Sequence, residues 1–394
     1  MKKFINLFII LFLLIGSFSL VGCGTPNDEP TNGPVEPPTP VEPTYEYVRT
    51  TYQNHLKFYT MDGNEYIVDA ADPDVLKADD GYFYMYCTNT YCEMGKKGMA
   101  YDRGPIFRSK DLVNWTWVGS VFDGYSHALD WGDKNAGVWA PSVIKVGDNY
   151  CYYYSLSLWG DSNPGIGVAT SPTPYGPWTH HGKLLDSVTS GVKNSIDPQP
   201  IYYEGKLYLI WGSFFGIGAV ELTDDGTEVF WGMDNMKDHV TYLIPDNSGG
   251  EMDIEINYEG SYVIERNGEF FYFGSQGTCC SGRISTYRVK VGKADNLFGP
   301  YYGSDNETLD KGTYGDLVIG PSDLVAGTGH NTVVEDYAGE YWLFYHGYDV
   351  NGDNPDKRTI FMDKILWDEK TGMPYVENYE ASINKDILGP TVRK

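Results

Sequence analysis

Three carboxylates in this 394-residue chain have the types and settings for proton chemistry: Asp72 in Ala71-Asp72-Pro73, Asp197 in Ile196-Asp197-Pro198 and Glu259 in Tyr258-Glu259-Gly260. Taken singly, each reads as a turn or strand-start carboxylate satisfied by backbone amides, as in many Asp-Pro turns. All three, however, hold the same place in a recurring phrase. If that place faces one cavity, like charges gather there, and burial with mutual repulsion raises at least one pKa. A carboxyl that keeps its proton near neutral pH is what a general acid requires. His330, in Gly329-His330-Asn331, holds the same place in a further copy. By spacing alone it reads more readily as a hydrogen-bonded structural histidine than as a ligand.

The phrase that positions these residues occurs five times from residue 66 onward. A short polar or Pro-containing motif leads into an alternating apolar strand, a Gly-containing turn, and a second strand dense in Tyr, Phe and Trp. Ala71-Asp72-Pro73 leads to Tyr82-Phe83-Tyr84-Met85-Tyr86, and Trp139-Ala140-Pro141 to Tyr150-Cys151-Tyr152-Tyr153-Tyr154. The copies at Asp197, Glu259 and His330 lead to Leu207–Trp211, Phe270–Phe273 and Tyr341–Tyr345. The period, about 65 residues, suffices for four strands and their turns, the length of a propeller blade. A weaker strand-turn-strand phrase completes each copy. The fold class expected is therefore all-β, a five-bladed β-propeller. Radial repetition leaves only short edges, and the innermost strands run along one axis, so Asp72, Asp197, Glu259 and His330 should meet there. A pair of β-sandwiches is the rival, but no linker-like shift of composition divides the chain after residue 45.

Composition agrees. Aromatic residues make up 15% of the chain, with 46 Gly and 22 Pro to punctuate them, which favours short strands and tight turns. A formal net charge of -25 excludes nucleic acid as a partner and disfavours anionic glycans and lipid headgroups. At the N-terminus, Lys2 and Lys3 precede an apolar run from Phe4 to Ile15, and Leu20-Val21-Gly22-Cys23 follows. This resembles a bacterial lipoprotein signal, with Cys23 the lipid-modified first residue of the mature protein. The organisation expected is a signal peptide at 1–22, a Pro-rich linker at 23–44 and the propeller at 45–394. The protein would sit at the bacterial cell surface or envelope, touching membrane only through its lipid. Of the remaining cysteines, Cys87 and Cys92 could pair across a short loop. Adjacent Cys279 and Cys280 are not expected to pair with each other.

The motifs together resemble glycoside hydrolase family 43, and within it the endo-α-1,5-L-arabinanases. Besides the carboxylate triplets, the matching stretches are Trp139-Ala140-Pro141-Ser142, Asn194-Ser195-Ile196-Asp197-Pro198, Gly212–Ile217, Cys279–Tyr287, Phe298-Gly299-Pro300-Tyr301 and Gly327-Thr328-Gly329-His330-Asn331. The resemblance covers about residues 66–380. It implies hydrolysis with inversion, Asp72 as the base that activates water, Glu259 as the acid that protonates the leaving oxygen, and Asp197 as the group that tunes and orients Glu259. An inverting pair should stand roughly 6.5–9.5 Å apart to admit the water. Trp139 and Phe214 would stack on a furanose ring or simply pack their blades, Asn194 would bond a sugar hydroxyl or cap its turn, and Arg358 is a weaker candidate for the same rim. The resemblance also implies an axial ion, commonly calcium, reached by His330 largely through waters, and no organic cofactor.

The expected substrate is a neutral plant-type polysaccharide, arabinan, cut internally by a monomer. Two departures from the family pattern touch the cleft walls: Ser261 stands where Pro is usual, and Ala71 where arabinanases tend to have His. The alternatives are an exo-acting α-L-arabinofuranosidase or β-xylosidase, and a non-catalytic glycan-binding lipoprotein, which would not need a buried acid pair. The long loops Cys92–Gly104 and Phe122–Val138 are candidates to shape or close a groove.

Overall fold

A computed structural model describes residues 45–93, 99–122, 131–247 and 249–394. The expected signal segment, Cys23 and the Pro-rich linker lie outside the described residues, as do parts of both long loops and the side chain of Cys92.

Five antiparallel blades follow one another along the chain. The innermost strand of each is Asp74–Lys77, Gly137–Val146, Gln199–Tyr203, Glu259–Arg266 and Val325–Glu335, and the aromatic phrases form the second strands Phe83–Tyr86, Asn149–Ser157, Lys206–Trp211, Glu269–Gln276 and Tyr341–Asp349. Each innermost strand lies against the next, and the fifth returns to the first, so the ring is closed. Blade one is widened by Lys57–Tyr59, parallel to Asn114–Phe122, and by the pairing of Ile67–Val68 with Thr90–Glu93. Outside the blades, Tyr47–Tyr52 pairs antiparallel with Ile387–Arg393.

The density of aromatic residues on the second strands has a simple cause. A blade is covered on both faces by its neighbours, so both sets of alternating side chains are buried. Tyr150, Tyr152 and Tyr154 pack against Tyr84 and Tyr86 of blade one, whereas Cys151 and Tyr153 pack against Leu207 and Leu209 of blade three. In blade four, Phe270 and Tyr272 face blade three, and Phe271 and Phe273 face blade five. The remaining core joins blade five to blade one through Trp342, Phe344 and Phe83, with Tyr52, Leu56 and Val392 from the terminal segments.

The strand starts repeat in detail. Asp72, Ala140, Asp197, Gly260 and His330 occupy equivalent left-handed positions, with φ of 53°, 39°, 60°, 58° and 50°. Four are non-glycine, a conformation L-residues rarely hold unless it is fixed from outside. The fixing groups come from the end of the preceding blade's aromatic strand. Ala140 donates its N–H to Thr88 Oγ1 at 2.8 Å, Asp197 to Ser155 Oγ at 2.9 Å, His330 to Ser275 Oγ at 2.8 Å and Asp72 to His346 Nδ1 at 3.2 Å.

Two sequence expectations are corrected here. Glu259 is not the positional equivalent of Asp72 and Asp197; that place belongs to Gly260, and Glu259 stands one residue earlier, because Gly260 takes the turn that the acids take elsewhere. Cys279 and Cys280 do form a disulfide with each other, while Cys87 is a free, buried thiol and so has no bond to Cys92.

Candidate active site

The axis gathers the three carboxylates into one pocket of about 270 Å³, with Thr88, Trp139, Tyr287, His330 and Arg358 among its lining. Asp72, Asp197 and Glu259 are all buried. Their surroundings differ in sign.

Asp72 sits among nitrogens. Its Oδ1 lies 3.1 Å from His346 Nδ1 and 3.3 Å from His330 Nδ1, Arg358 Nη1 is 3.9 Å from Oδ2, and Thr88 Oγ1 donates to Oδ2. Burial works to raise its pKa, but His330, His346 and Arg358 together hold the carboxyl well below the usual range. It is an anion at any working pH. Burial lowers both histidines, His330 to about 4, so neither is charged near neutrality and the permanent cation beside Asp72 is Arg358.

Glu259 and Asp197 face the opposite balance. Burial raises Glu259 to about 7, opposed by donors at both oxygens, Tyr287 Oη to Oε1 at 2.8 Å and Ser213 Oγ to Oε2 at 2.8 Å. Asp197 is raised by burial and by the charge of Glu259, and its one backbone donor is the Gly260 N–H, 3.1 Å from Oδ2. Two buried carboxyls that cannot both ionise hold a proton between them near neutral pH.

The offset of Glu259 explains Ser213. In the other blades the corresponding Ser, Thr or His is occupied with the next blade's left-handed amide. Asp197 takes over that duty for Gly260, and Ser213 is left to donate to Glu259. Gly260 itself cannot carry a side chain cheaply, since a Cβ there would come within 3.0 Å of the His330 ring.

Other expected residues fall in differing places. Trp139 borders both the pocket and an adjoining groove of about 660 Å³, and Phe214 lines the groove. Asn194 lines it too, but its amide nitrogen bonds Ser213 Oγ at 2.8 Å, so it positions the serine that holds Glu259. Arg358 belongs to the pocket and faces the base. Ser261 bonds Tyr272 Oη at 2.9 Å, and Ala71 is fully buried.

Ser213, Tyr287, His346 and Thr88 were not singled out in the sequence. A signal was present: a Ser, Thr or His stands near the end of every aromatic strand, at Thr88, Ser155, Ser213, Ser275 and His346. Tyr287 also connects the acid to the base side, for its ring stacks on His346 at 5.6 Å.

The fold and the family are both shown by comparison. The profile of Glycosyl hydrolases family 43 matches residues 66–374. The chain belongs to that family. It is a glycoside hydrolase.

Among members of the family, arabinan endo-1,5-α-L-arabinosidase A of Aspergillus niger is 30% identical over 286 residues, 70% of this chain and 81% of that protein. An extracellular endo-α-(1→5)-L-arabinanase of Bacillus subtilis is 28% identical over 279 residues, covering 68% and 80%. An extracellular exo-α-(1→5)-L-arabinofuranosidase of Cellvibrio japonicus is 28% identical over 344 residues, covering 79% and 88%. The solved structure of a Cellvibrio cellulosa α-L-arabinanase with arabinohexaose superposes with a TM-score of 0.65 at 24% identity, over 79% of this chain and 96% of that one, and shows the fold.

The family resemblance brought with it a calcium ion at His330. Calcium prefers six to eight oxygen ligands. Among the described residues no three His, Cys, Asp or Glu side chains form a metal-ligating group, and His330 directs Nδ1 at Asp72. An ion here would be held by His330 and a shell of waters, and no step of the chemistry is routed through it.

Proposed function

We propose that this family 43 hydrolase cleaves α-1,5-L-arabinofuranosidic bonds within arabinan, with inversion. Asp72 takes a proton from water as its oxygen attacks the anomeric carbon, and Glu259 gives its proton to the departing glycosidic oxygen. Burial and the charge of Asp72 oppose ionisation of Glu259, and Asp197, which shares the pair's proton, tunes and orients the acid.

The observation that carries this reading is the opposed environment of the two ends of one pocket: a carboxylate held ionised among nitrogens, and a buried carboxyl pair that retains a proton. The endo assignment draws on the A. niger and B. subtilis relatives and on the groove. That groove is bordered by Glu259 but not by Asp72, and Trp139, Trp159, Val188, Phe214 and Met252 line it. A groove on the acid's side is where the leaving half of a polymer would lie.

Products released from linear α-1,5-arabinan by the wild type and Glu259→Gln test the proposal. Early short oligosaccharides, absent with the variant, are expected. Arabinose alone would replace the endo reading with exo action like that of the C. japonicus relative, and no product from any neutral pentosan would favour a binding protein. We propose further that the protein is exported and lipidated at Cys23; palmitate labelling in the native host should mark the wild type and not Cys23→Ser.

A further inference from the structure

We propose that the Cys279–Cys280 disulfide is a substrate-contacting wall of the pocket, and that the enzyme binds its glycan well only while that bond is intact. The inference rests on the glycoside hydrolase reading of the pocket.

Both cysteines line the pocket that holds Asp72, Asp197 and Glu259, and Cys279 also borders the groove. Cys280 is exposed. A disulfide between adjacent residues is a compact apolar surface without a hydrogen-bond donor, suited to the C–H face of a sugar ring, whereas two thiols are free to rotate apart. The bond also has neighbours that matter. Arg358 Nη1 lies 3.9 Å from Cys280 Sγ and 3.9 Å from Asp72 Oδ2, so one guanidinium nitrogen touches both the wall and the base.

The segment carrying the disulfide is fastened on all sides. Thr278 and Thr286 exchange N–H to Oγ1 bonds of 3.1 and 3.0 Å, Arg283 pairs with Asp356 at 3.1 Å, and Tyr348 Oη donates to the Cys279 carbonyl at 3.3 Å. These anchors hold the frame, and Tyr287 with it, when the S–S bond is absent. Loss of the disulfide should therefore act on binding and spare the acid.

The test compares the full-length protein before and after dithiothreitol. The reductant's thiolate attacks one sulfur, the Cys279–Cys280 bond breaks, two thiols form, and dithiothreitol closes to its cyclic disulfide. Kinetics run in parallel on arabino- and xylo-oligosaccharides let the wild type decide the substrate, and the ratio of reduced to oxidised enzyme on that substrate decides the role of the disulfide. KM is expected to rise about tenfold on reduction with kcat within about threefold, to recover on reoxidation, and to rise equally in Cys279→Ser/Cys280→Ser, which no longer responds to reductant. An unchanged KM in both the reduced enzyme and the double variant would overturn the proposal. So would a fall in kcat with a displaced pH profile at constant KM, since the segment would then serve only to frame Tyr287.

Discussion

At Glu259 the proton is held by burial and contested by hydrogen bonds, and both can be measured. With Asp72 ionised throughout and Glu259 raised to about 7, kcat/KM should be level in mildly acidic buffer and decline as pH rises through about 7. Tyr287→Phe removes a donor that favours the carboxylate, so this decline should move to higher pH while kcat drops by about tenfold. An alkaline limb that stays in place would show that the phenol does not tune the acid. Stability should follow the same proton. The folded value of Glu259 lies above its ordinary 4.5, so its contribution is fully present below that value and is lost as pH rises through about 7. Glu259→Gln should therefore be nearly inactive, melt a few degrees above wild type at pH 8 and melt close to it at pH 5. Equal melting at both values would mean that the carboxylate is not destabilised by burial. Asp72 and Asp197 were legible from their repeated place in the chain, and Glu259 from a triplet that looks like another copy of it. Their opposite proton affinities were not, since those come from His330, His346 and Arg358 on one side and Ser213 and Tyr287 on the other.

The strand starts and ends act as paired elements: a left-handed residue at the head of one blade is held by the polar residue closing the aromatic strand of the blade before. Glycine is required where these elements crowd. At Gly329, a Cβ would come within 2.1 Å of the Tyr287 ring. Gly329→Ala should push that ring from Glu259 and His346, lowering kcat by tenfold or more and moving the alkaline limb upward with it; a fully active variant would mean that the ring has room the structure does not show. The five blades were readable from phrase and period, because a strand buried on both faces is apolar along most of its length. The one-residue offset of Glu259 was not. Tyr258-Glu259-Gly260 looks like another copy of the acid-centred triplet, and only backbone dihedrals distinguish Gly260 as the true counterpart of Asp72.

For the whole molecule, ring closure rests on the core between blades five and one, which the chain's terminal segments complete. Val392 is buried there, Thr391 accepts from the Tyr337 N–H at 3.0 Å and donates its own to Asp336 Oδ2 at 2.8 Å. Deleting residues 387–394 should cost about 3 kcal/mol, from one buried Val and the lost hydrogen bonds, seen as a lower denaturation midpoint. An unchanged midpoint would show that the blades close without this strand. With an axial ion reached by His330 through waters, as the family resemblance implies, exhaustive EDTA treatment should lower kcat modestly, with recovery on adding calcium; an unchanged kcat would remove the ion. The sequence by itself determined the five-fold repeat, the all-β class and the residues able to do acid and base chemistry, since periodicity and residue type are properties of the chain. Only the tertiary structure decided which carboxyl holds a proton, which cysteines bond and which side of the pocket opens into a groove. The first depends on groups from different blades, such as Asp72 with His346 and Arg358, hundreds of residues apart and brought within about 4 Å of one another by ring closure.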